Sequence, residues 1–314
     1  MNSQTVLAEL TKSAFAAGDY QAALPLCTKL VESTPESSDC WFNLGLAQQK
    51  TGHLEEAARA YGEAVRIRRD AGHAYANMGA IHQQAGDLAQ ARASFEKALE
   101  ISPDLFEVLH NLAAVLDQLG SKDEAERIYM RILEKRRDLA DVWFRLGYLR
   151  LERGDYRGGS DAFQVCATKQ PVWPEAQLNL GICLWRMGDH EGAAKAFEAV
   201  LAANPESLDA LRGLAAVAVE RNDFNHALEY QARLIEKGQR SPNLFYNAGL
   251  LLQKSGQLTD AERLYREALE ERDPFPEALL NLGHVLKDLG QRDQARDCWR
   301  RAVEQKPDLA GQLT

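Results

Sequence analysis

The chain has 314 residues, 45% of them hydrophobic and 26% charged, with a formal net charge of -9. That is the composition of an ordinary soluble protein, far from the disordered and membrane classes. The negative charge is spread evenly with no basic tract or acidic tail, which argues against a nucleic-acid or membrane surface.

The N-terminus, MNSQTVLAEL, lacks the cationic start and apolar segment of a secretory signal. Beyond it a single register takes over. Gly45, Gly79, Gly147, Gly181, Gly249 and Gly283 stand at multiples of 34 residues from one another, with Ala113 and Ala215 filling the two remaining places. Taking this residue as position 8 divides the chain into nine units, 4–37, 38–71, 72–105, 106–139, 140–173, 174–207, 208–241, 242–275 and 276–309. In each unit a first helix is predicted from apolar residues at positions 4, 7, 8 and 11, such as Trp41 and Leu44, Tyr75 and Met78, Leu109 and Leu112, Trp143 and Leu146. Positions 3 and 10 are also apolar (Val108 with Val115, Val142 with Leu149, Leu244 with Leu251) and are expected to face a neighbouring unit.

A turn follows at position 15, which is Gly18, Gly52, Gly86, Gly120, Gly154, Gly188, Asn222, Gly256 and Gly290 in chain order. These are the residue types that adopt a left-handed helix cap at low cost. The second helix carries alanine and, four residues on, an aromatic: Ala57 and Tyr61, Ala91 and Phe95, Ala125 and Tyr129, Ala193 and Phe197, Ala261 and Tyr265, Ala295 and Trp299. Prolines at 35, 103, 171, 205 and 307 close it. Two units depart from the pattern. The fifth has Gly158 and Gly159 in its second helix, each expected to cost about 1 kcal/mol relative to alanine. The seventh has Ala215, Asn222 and Gln231 where glycine, glycine and an aromatic are usual. After the ninth unit only AGQLT remains, so Leu289, Val303 and neighbouring apolar residues are expected at an uncapped end.

Nine copies of this pattern resemble the tetratricopeptide repeat family over nearly the whole chain. The resemblance implies an all-α fold, a right-handed superhelix or α-solenoid of nine helix-turn-helix repeats forming a single array over 1–314. It also implies that positions 2, 5, 6, 9, 12 and 13 of the first helices line a concave, partner-binding groove. Position 6 is asparagine in six units, Asn43, Asn77, Asn111, Asn179, Asn247 and Asn281. A row of amides can pair with the C=O and N–H groups of an extended peptide whatever its sequence. The row resembles the asparagine ladder in the superhelical domain of O-linked N-acetylglucosamine transferase, and it is interrupted by Arg145 and Gly213. Around the interruptions Phe144, Arg145, Tyr148, Trp185, Arg186 and Arg212 form a second candidate surface, of types that anchor interfaces. Exposed aromatics scattered by chance, with arginines that are ordinary solvated charges or pair with nearby acids such as Glu152 and Glu220, are the alternative reading of that patch. No unit has the lysine at position 5 with asparagine at position 9 that the family's carboxylate-clamp members use for chaperone tails.

No P-loop, GxGxxG, HExxH, GxSxG or paired CxxC occurs, and the seven histidines fall at unrelated positions. The five cysteines replace small apolar residues and read as buried reduced thiols, consistent with a cytoplasmic protein. The expected function is a non-enzymatic adaptor or scaffold that holds an extended peptide of a partner protein, without metal, cofactor, nucleic acid or membrane. Two alternatives follow from the short C-terminus: the chain recruits substrates for a larger enzyme such as a glycosyltransferase, or it self-associates through that end.

Overall fold

The computed structural model describes residues 3–313, and among them every regular element is helical. Eighteen α-helices of thirteen or fourteen residues follow one another in the described chain, joined by short turns. The chain divides between Leu149 and Arg150 into two compact units. In the first, α1 (Ser3–Ala16) packs on α2 (Tyr20–Ser33), α3 (Ser38–Lys50) on α4 (Leu54–Ile67), α5 (Gly72–Gln84) on α6 (Leu88–Ile101), and α7 (Phe106–Gln118) on α8 (Lys122–Lys135). The division falls within α9 (Ala140–Glu152), and the second unit continues with α10 (Tyr156–Lys169). There α11 (Pro174–Arg186) packs on α12 (His190–Ala203), α13 (Leu208–Glu220) on α14 (Phe224–Glu236), α15 (Pro242–Lys254) on α16 (Leu258–Glu271), and α17 (Pro276–Asp288) on α18 (Arg292–Gln305). Within each unit the helix pairs stack in chain order, the arrangement of an α-solenoid.

The repeat pattern explains each helix locally. The turn residue at position 15 is left-handed throughout, including Asn222 at φ 59°, where asparagine is tolerated because its short amide lessens the steric cost. An aspartate at position 16 of the repeat then caps the second helix: Asp19, Asp87, Asp155, Asp189 and Asp223 each accept a hydrogen bond from the backbone N–H three residues on. This cap accounts for Gly158 of the fifth repeat. Gly158 lies in the first turn of α10, where its N–H is held by Asp155 at 2.9 Å, and α10 runs unbroken to Lys169. A Cβ at Gly158 would meet Arg150 Cδ at 2.9 Å, so the missing side chain makes room there for an arginine stem.

Close packing of the two helices rests on the pairing of positions 8 and 24. A Cβ at Gly45 would come within 2.8 Å of the Tyr61 ring, one at Gly79 within 2.5 Å of Phe95, one at Gly181 within 2.6 Å of Phe197, and one at Gly249 within 2.8 Å of Tyr265. All four aromatic rings are essentially fully buried. Large tryptophans at position 4 add a latch: Trp41 Nε1 donates to the Pro35 carbonyl at 2.8 Å and Trp143 Nε1 to that of Arg137 at 3.1 Å, each six residues back in the preceding loop. Cross-links at the loops, Lys135 with Asp104 and Lys306 with Glu277, are exposed ion pairs of small energetic weight.

The C-terminal end differs from the bare face expected. A 3-10 helix, Pro307–Gln312, packs on α18, burying Leu309, while Leu289 and Leu313 pack partly buried against the same core. Val303 is half-buried. Pro307, read as a helix stop, also opens this last turn.

Candidate functional site

The asparagines at position 6 lie on the first helices, Asn43 on α3, Asn77 on α5 and Asn111 on α7 in the first unit, Asn179 on α11, Asn247 on α15 and Asn281 on α17 in the second. Five are half-buried, and only Asn247 is exposed. The reason is that position 6 faces back toward the preceding repeat as well as outward. Asn77 Nδ2 donates to the Tyr61 hydroxyl at 3.0 Å, and that hydroxyl donates onward to Gln49 Oε1 at 2.9 Å. Asn281 Nδ2 donates to the Tyr246 hydroxyl at 2.9 Å. These two amides therefore link repeats with one of their donors, a role that spacing alone did not reveal. Asn43 instead lines a cleft of about 630 Å³ shared with Thr11, Lys12, Phe15, Asp39 and Cys40.

The same back-facing geometry explains the gap at Gly213. A Cβ there would lie 2.6 Å from Phe197, whose ring is sandwiched between Gly181 of its own repeat and Gly213 of the next. Packing forbids an asparagine at that place.

The aromatic and basic residues divide between the units. Phe144, Arg145 and Tyr148 belong to the first, with Phe144 half-buried and Arg145 and Tyr148 exposed. Trp185, Arg186 and Arg212 belong to the second. There the Arg186 guanidinium lies 5.0 Å from the Trp185 ring, and Trp185 Nε1 donates to Glu220 Oε1 at 3.0 Å. Arg212 is held by Asp209 at 2.8 Å and by Gln239 at 2.7 Å. Glu220 thus meets the Trp185 indole and, at 3.3 Å, His190 Nδ1, while Arg212 pairs with a different nearby acid, Asp209.

Arg212 and Glu220 also form part of the rim of a cleft of about 400 Å³ between α13, α14 and α15. Its wall includes Ala215, Gln231, Leu234, Leu244, Leu250 and Leu251. Gln231 is 5% exposed, and its Oε1 is buried with no hydrogen-bond partner. The sequence marks this place only as a departure from the repeat pattern, glutamine where an aromatic is usual.

Four cysteines are buried, Cys40 is half-buried, and all five are free thiols. Burial, reinforced by Cys40, pushes Cys27 up to about 11, and burial, reinforced by Asp155, pushes Cys183 up to about 12, so neither ionises at neutral pH. Among the described residues no group of His, Cys, Asp and Glu is arranged to hold a metal ion. No described helix is long and apolar enough to cross a membrane.

Three sequence-family models, each describing the tetratricopeptide repeat, match residues 70–138, residues 144–196 with 178–242, and residues 14–80 with 252–313. The chain belongs to the tetratricopeptide repeat family. Proteins of this family act as protein-interaction scaffolds. A search of curated proteins finds no significant match. Among solved structures the fold is similar to YrrB, described as a TPR protein with an unusual peptide-binding site, at 22% identity and a TM-score of 0.55, over 59% of this chain and 96% of that one. It is also similar to a tetratricopeptide repeat protein from Parabacteroides merdae, at 15% identity and a TM-score of 0.52, over 85% and 98% of the two chains. MamA AMB-1 gives 18% identity and a TM-score of 0.50, over 54% and 93%. At these identities the likeness is one of fold.

Proposed function

We propose that this tetratricopeptide repeat protein is an adaptor that holds an extended peptide segment of a partner protein along the first-helix faces of its repeats. The observation that carries this reading is the recurrence of a side-chain amide at one register position on α3, α5, α7, α11, α15 and α17. Each amide offers a donor and an acceptor, which matches the alternating C=O and N–H groups of an extended chain. The likeness to YrrB, itself a peptide-binding TPR protein, supports peptide as the ligand class. So does the likeness of the row to the asparagine ladder of O-linked N-acetylglucosamine transferase.

Asn77 and Asn281 each spend one N–H on a tyrosine of the preceding repeat and keep Oδ1 for a ligand. The test therefore uses Asn43, Asn111 and Asn179, replaced together by alanine in a variant whose helical circular dichroism matches wild type. Peptides selected by wild type from a random display library should bind the variant at least tenfold more weakly. Methylating backbone nitrogens of a selected peptide should weaken it in the same way, because the amide row reads the backbone. Equal binding by wild type and variant would overturn the proposal.

A further inference from the structure

The cleft beside Gln231 stands where the repeat pattern is missing a side chain. In the second repeat the buried Tyr61 ring lies against Gly45, its hydroxyl donates to Gln49, and Asn77 of the next repeat donates to that hydroxyl. In the eighth repeat Tyr265 lies against Gly249 and donates to Gln253 at 2.7 Å. The equivalent places in the seventh repeat hold Gln231 for the tyrosine, Ala215 for the glycine and Val219 for the glutamine, with Asn247 in the place of Asn77. Alanine at position 8 does not by itself prevent aromatic packing, since Ala113 and Tyr129 are both buried in one core cluster of the fourth repeat. The seventh repeat is open because its own aromatic is absent.

That absence leaves three marks. A space of about 400 Å³ remains, lined largely by alanine, leucine and valine. Gln231 Oε1 is buried without a donor, an unfavourable state when left unrelieved. Asn247, alone in its row, is exposed, whereas Asn77 is covered by the tyrosine it binds.

We propose that this cleft is a pocket for a tyrosine side chain of the bound peptide, which supplies from outside the aromatic that the seventh repeat lacks. The inference rests on the peptide-binding reading above and names the anchor residue. A tyrosine ring fits the apolar wall formed by Leu244, Leu250 and Leu251, and the Gln231 side chain in the same wall, whose partnerless Oε1 is closed off from solvent, turns that oxygen to the hydroxyl when the ring enters. Asn247 can donate to that hydroxyl as Asn77 donates to Tyr61. Phenylalanine would fill the space but leave the acceptor unpaired, and leucine would leave both unmet. Tyrosine is also among the residues that concentrate binding energy at protein interfaces.

The experiment titrates the full chain, labelled at leucine methyls, with N-acetyl-tyrosinamide and follows Leu244, Leu250 and Leu251 by NMR. Saturable shifts confined to these methyls are expected. N-acetyl-phenylalaninamide should bind about tenfold more weakly, the equivalent of one buried hydrogen bond. Gln231→Leu should narrow the difference between the two probes, and Gln231→Tyr should fill the pocket and abolish both sets of shifts. No shift with N-acetyl-tyrosinamide would mean that the cleft holds solvent only and would overturn the inference. Equal binding to wild type and to a folded Gln231→Tyr variant would also overturn it. The alanine variant at Asn43, Asn111 and Asn179 should leave N-acetyl-tyrosinamide binding unchanged. Failure of the backbone-reading row and failure of this pocket are therefore read separately.

Discussion

The Asn77 side chain donates to the Tyr61 hydroxyl at 3.0 Å, tying the first helix of the third repeat to the second helix of the repeat before it. The bond makes one residue serve both the stacking of repeats and the surface offered to a partner. Asn77→Ala should lower stability by about 1 kcal/mol, the typical net worth of one hydrogen bond. Combined with Tyr61→Phe, the two losses should sum to less than their separate effects in a denaturant double-mutant cycle, and strict additivity would show that the bond carries no energy.

Two glycines in neighbouring repeats should respond to alanine with opposite signs. Gly79→Ala would drive a methyl into the Phe95 ring and should destabilise by about 1–3 kcal/mol, as overpacking does. Gly62, inside α4, has open space around the position of a Cβ, so Gly62→Ala should stabilise by about 1 kcal/mol through helix propensity. Thermal melts of the two variants beside wild type decide this, and a shift in the same direction for both would contradict the packing described.

Asn222 holds a turn at φ 59° that its counterparts make with glycine. Asn222→Gly should raise the melting temperature, while Asn222→Ala should cost about 1 kcal/mol because alanine lacks the local compensation of an asparagine side chain. A neutral alanine variant would mean that the turn relaxes out of the left-handed region.

The buried thiols should make the protein less stable in alkali. Cys27 and Cys183 are held up at about 11 and about 12 against an ordinary 9.0, so the unfolded chain loses these protons first. Their contribution is therefore full below pH 9.0 and is lost as pH rises toward about 11 to 12. The urea midpoint should fall across that window, and less steeply in a Cys27→Ala, Cys183→Ala double variant. Native-state labelling with a thiol reagent at pH 8 should reach Cys40 before the four buried cysteines, which react only on local opening.

The repeat length, the two-helix unit and the turn at position 15 were all legible in the sequence, because each depends on contacts within about 34 residues that recur unchanged. The aspartate caps that follow the turn are equally visible, as Gly-Asp pairs such as Gly18 with Asp19 and Gly86 with Asp87. The candidate groove was legible only in part. Spacing put six asparagines on one register but gave no sign that Asn77 and Asn281 bond to tyrosines, since those partners come from neighbouring repeats.

The sequence by itself determined the local architecture: periodic apolar positions make the helices, and a left-handed residue, in five repeats followed by a capping aspartate, turns the chain at a fixed interval. The tertiary structure decided what happens where repeats meet. The seating of Phe197 on both Gly181 and Gly213 and the open cleft with its unpaired Gln231 arise from packing between repeats, and the covering of the last repeat by Pro307–Gln312 from packing on α18. The physical reason is that a helix is specified by neighbours along the chain, whereas a cavity or a shared ring is specified by volumes brought together from separate repeats.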